Sequence, residues 1–554
     1  MKPFPIQPRL LALFLTCLAS AALHAAPAAS APAAPKLVVV LVVDGLPNEQ
    51  VQRYRAQFGQ GGFRRLLDDG AWYGDAHQAH GITVTAIGHA AILTGAYPYQ
   101  HGIIGNNWID QVSGASVYCT DDIGNTYIGE ETKADDGTSP KRLRVNTFGD
   151  ELRYANGNLS KVVTVSGKDR GAILLAGKTG TAYMYMEKSG NFASSTYYMA
   201  QHPAWATRFN AAKPADRYYG KSWRPLLADA AYAGDASEDI VPLKKDVQAR
   251  FPFSYYSESG KPDADYYKRL KTSPALDELT LEFAQAAVEG EDLGRNKAGV
   301  TDVLGVSMSA HDYVNHTYGP ESKMSHDHLQ RLDRMLANFF SFLDKRVGMD
   351  NVMVVLTADH GFANVPEFSQ TRHIDAQRLD GDKLAADLDK HLAATFSVAK
   401  LVRKPGIPNF YLDYEAAAKA NISRTDLEDR AARFLLAQPG VAEVFTRTQM
   451  ENGVVATRTA KLMRRGWNRQ LSGDLMVVAK PFWIFSSETT GTTHGSPYAY
   501  DTNVPLILMG KRWIKPGAYG QYAEVVDIVP TLSHLLRVRP PAAAEGRVLT
   551  ETLR

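Results

Sequence analysis

The chain has 554 residues, 45% of them apolar, which is too large for one simple core and suits one large catalytic domain with insertions or two to three domains. Its formal charge of +2 falls to zero once Lys2 and Arg9 are set aside with an acid-free leader, which argues against a polybasic surface for nucleic acid or membrane. The two cysteines, Cys17 and Cys119, are too few for a disulfide framework.

In chain order, residues 1–25 carry Lys2 and Arg9, an apolar run from Leu10 to Leu23 and small residues at Ala25 and Ala26. This is the pattern of a secretory signal peptide. The run is short for a spanning helix and contains Thr16, Cys17 and Ser20, so the expectation is cleavage, a periplasmic or secreted product and no stable membrane anchor. Cleavage would also leave Cys119 alone. Residues 26–36, rich in Ala and Pro, read as a flexible leader. Leu37 to Val43 is a continuous β-branched and Leu run that ends in Asp44-Gly45, as a strand buried on both faces of a parallel sheet should. Further strands are predicted at Lys161 to Val165, Val303 to Val306, Val352 to Leu356 and Val504 to Met509. Helical patterns cover Pro274 to Glu289, His326 to Leu343 and Val525 to Leu536.

This alternation predicts an α/β protein with a doubly wound, mostly parallel central sheet, helices on both faces and inserted cap regions. The core is placed at residues 37–170, 271–364 and 473–554, interrupted by an insertion at 171–270 and a cap insertion at 365–472. In such sheets ligands bind beyond the carboxyl ends of the strands. The polar residues that follow the apolar runs, namely Asp44, Lys168 with Arg170, Asp312, and Asp359-His360, are therefore expected to meet in space.

Asp312 and His316 share one face if their segment is helical, being spaced i, i+4. With Asp44, Asp359, His360 and His494 they make three carboxylates and three imidazoles, enough for two metal ions with three protein ligands each. A close metal pair with open positions suits in-line displacement at phosphorus, and the mixed donors favour zinc, with manganese and iron as the alternatives. Between Gly81 and Gly95 the sequence reads as a loop entering a short helix, with Thr85 near the N-terminus. There a metal would activate its hydroxyl as a nucleophile, although a threonine at that place can also be a plain helix cap.

The ordered set Val43-Asp44-Gly45, Thr83-Val84-Thr85-Ala86-Ile87-Gly88-His89, His101-Gly102-Ile103-Ile104-Gly105-Asn106-Asn107, Ser166-Gly167-Lys168-Asp169-Arg170, Asp312-Tyr313-Val314-Asn315-His316, Asp359-His360-Gly361 and Thr493-His494-Gly495 closely resembles the alkaline phosphatase superfamily. Within it, the chain is similar to secreted bacterial phosphate-irrepressible alkaline phosphatases, relatives of the nucleotide pyrophosphatase/phosphodiesterases. The resemblance implies a phosphate monoesterase with two zinc ions, one on Asp312, His316 and His494 and one on Asp44, Asp359 and His360. It implies a phospho-Thr85 intermediate, with Asn106 donating to a phosphate oxygen and Lys168 and Arg170 matching the dianion of a small-molecule monoester. Asn107 is the local competitor of Asn106. The competing functions are a phosphodiesterase on the same scaffold and a non-catalytic metal- or phosphate-binding protein. A sulfatase is disfavoured because Thr85 stands where that chemistry needs Cys or Ser in a Cys/Ser-X-Pro-X-Arg context. The leaving group and the oligomeric state are left open by the sequence.

Overall fold

The computed structural model describes residues 33–237, 240–243, 251–403, 406–453 and 456–554. The predicted signal peptide, and the leader up to residue 32, lie outside these residues. Residues 34–554 form one compact unit. In chain order the principal strands are β1 (Leu37–Val43), β2 (Ala71–Tyr73), β3 (Val162–Ser166), β4 (Thr181–Tyr185), β5 (Phe192–Ala193), β6 (Asp302–Met308), β7 (Val352–Thr357), β8 (Asn409–Phe410), β9 (Val441–Thr446), β10 (Leu475–Ala479), β11 (Leu506–Met509) and β12 (Gly517–Tyr519). The helices used below are α1 (Thr85–Thr94), α2 (Asp169–Ala176), α3 (Pro274–Gly290), α4 (Ala310–Tyr318), α5 (Lys323–Arg346), α6 (Gly381–Phe396), α7 (Arg424–Leu436) and α8 (Ile528–Leu536).

Nine strands form the central sheet in the order β12-β2-β11-β7-β1-β6-β3-β4-β5. Its middle, β7-β1-β6-β3-β4, is parallel, while β11 and β5 join antiparallel. Every residue of β1 is buried, because helices cover both faces and leave a parallel strand no solvated side. Among them α3 packs on β6 and β3, and α2 packs on β3, β4 and α1. The mostly parallel, doubly wound sheet expected from the sequence is therefore present.

The insertions are drawn differently from their sequence boundaries. The stretch expected to leave the core at residue 171 first completes α2 and then adds β4 and β5 to the edge of the central sheet. The segment Thr181–Tyr185 carries strand-favouring Thr181, Tyr183 and Tyr185 but is only five residues long and has no Val or Ile run to mark it as central. Several aromatic residues of the expected insertion at 171–270, Trp205, Tyr255 and Tyr266 among them, are buried in the main core, whereas Tyr197 and Tyr256 stay exposed. The cap has a separate core around Leu388, Leu427 and Leu435, supplied by α6 and α7. These helices accompany a three-stranded sheet in the order β8-β10-β9. Since β10 is the middle strand, the cap reaches Ala479 and passes the expected limit of 472.

Candidate active site

Strand register builds the site. Val42 pairs with both Ser307 and Thr357, and Ser307 pairs with Ser166, so four parallel strands end in one row. Asp44, Lys168, Asp312 and Asp359-His360 follow that row, and the structure brings them together. Asp359 Oδ1 accepts the backbone N–H groups of Gly45 and His360, each at 3.1 Å. Asp312 lies in the first turn of α4 and His316 in its last turn, with His316 Nε2 3.4 Å from Asp312 Oδ1. His494, from the loop beyond the cap, places Nε2 3.5 Å from the same oxygen. His360 Nε2 lies 3.5 Å from both Asp44 Oδ1 and Asp359 Oδ2. The side chains adjoin, for His360 Nε2 is also 3.9 Å from Asp312 Oδ1, and the tightest clusters are Asp312 with His360 and His494, and Asp44 with His89 and Asp359.

Each histidine is oriented by a backbone carbonyl. Nδ1 lies 2.9 Å from the Thr492 carbonyl oxygen in His316, 2.9 Å from that of Gly361 in His360 and 2.7 Å from that of Thr83 in His494. An Nδ1–H bonded in this way leaves the Nε2 lone pair for a metal. Asp44 Oδ1 and Asp312 Oδ1 are buried and accept no hydrogen bond. Burial, followed by the charge of Asp359, pushes the Asp44 carboxyl well above its usual range against the pull of Lys168. Burial acts the same way on Asp312, but Lys168 and the histidines hold its carboxyl well below that range. Two of the three buried carboxylates, Asp44 and Asp312, thus share one ammonium group, while Asp359 lies beside His89. The carboxylate oxygens, together with imidazole Nε2 atoms, are the donors that a divalent metal ion requires.

Thr85 is the first residue of α1, and its hydroxyl does not cap the helix. The N-cap residue is Val84, and the Ala86 N–H is satisfied instead by Asn106 Oδ1 at 2.9 Å. Thr85 Oγ1 is free to face the cluster, 3.5 Å from His360 Nε2 and 3.4 Å from Lys168 Nζ. With its oxygen engaged, Asn106 keeps its NH2 group as the available donor, while Asn107 is exposed. Lys168 is buried, with Nζ 2.8 Å from Asp44 Oδ2 and 2.5 Å from Asp312 Oδ2. Arg170 sits further out, its Nη1 donating to the Tyr118 hydroxyl at 3.2 Å, which in turn donates to Asp169 at 2.7 Å. Its buried Nε has no hydrogen-bond partner.

Two supports have no role in the sequence reading. His89 stands one turn after Thr85, its Nδ1 2.9 Å from the Thr85 carbonyl oxygen and 3.0 Å from Asp359 Oδ2, its Nε2 2.8 Å from Ser307 Oγ. It falls within the same radius as Asp44 and Asp359, but both ring nitrogens are engaged, so it braces the ligands. Asp501 holds two ligand loops at once. Its Oδ2 accepts the N–H groups of Gly495 and Ser496, and its carbonyl accepts that of Gly361 at 2.7 Å. The spacing of His89 from Thr85 is a signal the sequence offers; Asp501 offers none, because its partners are set by the fold.

A helix that begins at Thr85, beside carboxylates and imidazoles converging at the ends of a parallel sheet, is an arrangement suited to metal-assisted hydrolysis. The chain belongs to the type I phosphodiesterase / nucleotide pyrophosphatase family, whose profile matches residues 38–499. It is 35% identical over 532 residues to the alkaline phosphatase PhoV of Synechococcus elongatus, covering 94% of each chain. It is 35% identical over 534 residues to the alkaline phosphatase PafA of Elizabethkingia meningoseptica, again covering 94% of each. A crystal structure of wild-type PafA superposes with a TM-score of 0.87 at 33% identity, over 95% of this chain and all of that one. Within its family the chain is an alkaline phosphatase, a hydrolase whose relatives support phosphate monoester cleavage on this scaffold.

Proposed function

We propose that the protein is an exported phosphate monoesterase of broad specificity that works through a phospho-Thr85 intermediate. Two zinc ions would be held per chain, one by Asp312, His316 and His494 and the other by Asp44, Asp359 and His360. Bound there, they supply Lewis acidity toward the nucleophile and the departing oxygen. The observation that carries the reading is the Thr85 hydroxyl, which does not cap its helix but accepts from Lys168 Nζ at 3.4 Å and lies 3.5 Å from His360 Nε2, beside carboxylate oxygens that lack hydrogen bonds.

Thr85 Oγ1 loses its proton and bonds to phosphorus as the ester P–O bond breaks. Water then cleaves phospho-Thr85, which returns the hydroxyl and releases inorganic phosphate. The Asn106 amide donates to a phosphoryl oxygen and, by holding the Ala86 N–H, fixes the start of α1. Lys168 and Arg170 supply two positive charges to a substrate group that carries two negative ones, whereas a diester carries one. This match favours a monoesterase over the phosphodiesterase reading. Among the described residues no helix is long and apolar enough to cross a membrane, and the leader pattern in residues 1–25 supports export.

The test is mass spectrometry of zinc-loaded enzyme quenched in acid during turnover of an aryl monoester. The expected result is one phosphate on the peptide containing Thr85, absent in Thr85→Ala, with kcat in that variant lower by about 10³-fold. An unmodified peptide together with an active Thr85→Ala enzyme sinks the mechanism.

A further inference from the structure

A cavity of about 220 Å3 lies beside the candidate site, between the core and the cap. On the core side it is lined by Val84, the residue before Thr85, and by the Thr493–His494–Gly495 turn. On the cap side it is lined by Val478, Trp483 and Phe485. The walls are mainly apolar, yet two polar atoms on the lining residues stand without partners. The Trp483 indole Nε1 and Asp501 Oδ1 are both buried and make no hydrogen bond. Both atoms are closed off from solvent, so the surface that the cavity presents is mainly the apolar one of Ile82, Val84, Val478, Trp483 and Phe485.

We propose that this cavity is a leaving-group subsite for compact aryl phosphates. The inference rests on the monoesterase reading above. Position supports it: the wall holds His494, one of the three residues assigned to one metal ion, as well as the residue next to the proposed nucleophile. Size supports it too. An apolar cavity of about 150 Å3 is enough to hold benzene, so this space takes one substituted ring. Trp483 and Phe485 offer faces for that ring, and Phe485 is half-buried, so its side chain is reachable from outside.

The experiment compares kcat/KM for phenyl phosphate and methyl phosphate in the wild type, in Phe485→Ala and in Ala479→Leu, which adds bulk to the cavity lining. Ala479→Leu is expected to lower the aryl-to-methyl ratio about tenfold, the scale of a hydrophobic subsite contact, and Phe485→Ala to lower it in the same direction. Affinities of benzylphosphonate and methylphosphonate for the zinc-loaded proteins give a second readout that needs no turnover. Ratios unchanged in both variants, in kinetics and in binding, overturn the subsite. A wild type that turns over no monoester but still loses benzylphosphonate selectivity in the variants overturns the monoesterase reading and keeps the subsite. If one variant fails to fold, the other decides.

Discussion

Asp44, Asp312 and Asp359 hang from one row of strand ends in the central sheet, while the cap sheet has buried charges of its own in Arg447 and Asp474. These two cap residues are fully paired with each other and with backbone groups. Arg447 Nε bonds Asp474 Oδ1 at 2.6 Å, its two Nη atoms donate to the Arg469 and Ser472 carbonyls, and Asp474 Oδ2 accepts the Leu412 N–H. At the strand ends buried oxygens are left open and one lysine serves two acids. Burial alone does not separate the two places. Completeness of pairing does: a finished network locks a fold, and an unfinished one is shaped for a ligand.

The widest separation is expected at Gly88, which carries no functional group. A Cβ there would lie 2.1 Å from the Asp359 carbonyl oxygen, so Gly88→Ala must push α1 off the strand end that it touches. Activity is expected to fall by about 10²-fold or more, because displacing a nucleophile by an ångström has that effect. Steady-state kinetics on zinc-loaded protein, alongside circular dichroism, measures it; full activity would mean that the contact does not position Thr85. Arg170→Ala should come next. Losing a charge-assisted hydrogen bond of about 2 kcal/mol lowers monoester kcat/KM by about 10- to 100-fold. Diester kcat/KM should stay nearly constant, and equal losses on both esters would remove Arg170 from dianion recognition. Arg447→Ala should move activity least. Breaking a buried, fully paired ion pair costs about 3–5 kcal/mol of stability, readable by denaturant titration, while the kcat/KM of the folded fraction stays within about threefold. A loss as deep as that of Arg170→Ala would erase the contrast between the two sheets.

Much of the ligand-bearing region was legible in the sequence because its strands are buried on both faces. Continuous runs such as Leu37 to Val43 and Val352 to Leu356 announce themselves, and the residue after each run is then placed by topology. Asp312 and His316 were legible for a different reason, the helical i, i+4 spacing. The cap boundary and β4 were not. Short strands such as Thr181–Tyr185 carry little β-branched signal, and β10 takes its place only through partners about 30 and 65 residues away. Asp501 escaped for a related reason, since its effect depends on backbone groups of Gly361, Gly495 and Ser496 that only the folded chain assembles.

The aligned register of β3, β6, β1 and β7 also acts as a ruler. A one-residue slip of β7 against β1 would carry Asp359 about 3.3 Å along the strand and turn it to the other face of the sheet. Such a slip would also turn apolar side chains out of two packed layers, so the core resists it along the strand's whole length. The spacing of Asp44 from Asp359 and His360 is thereby set by strand register, while His494 arrives on a loop. Other loops around such a site can change length or sequence, and so substrate preference, while the carboxylates at the strand ends keep their places.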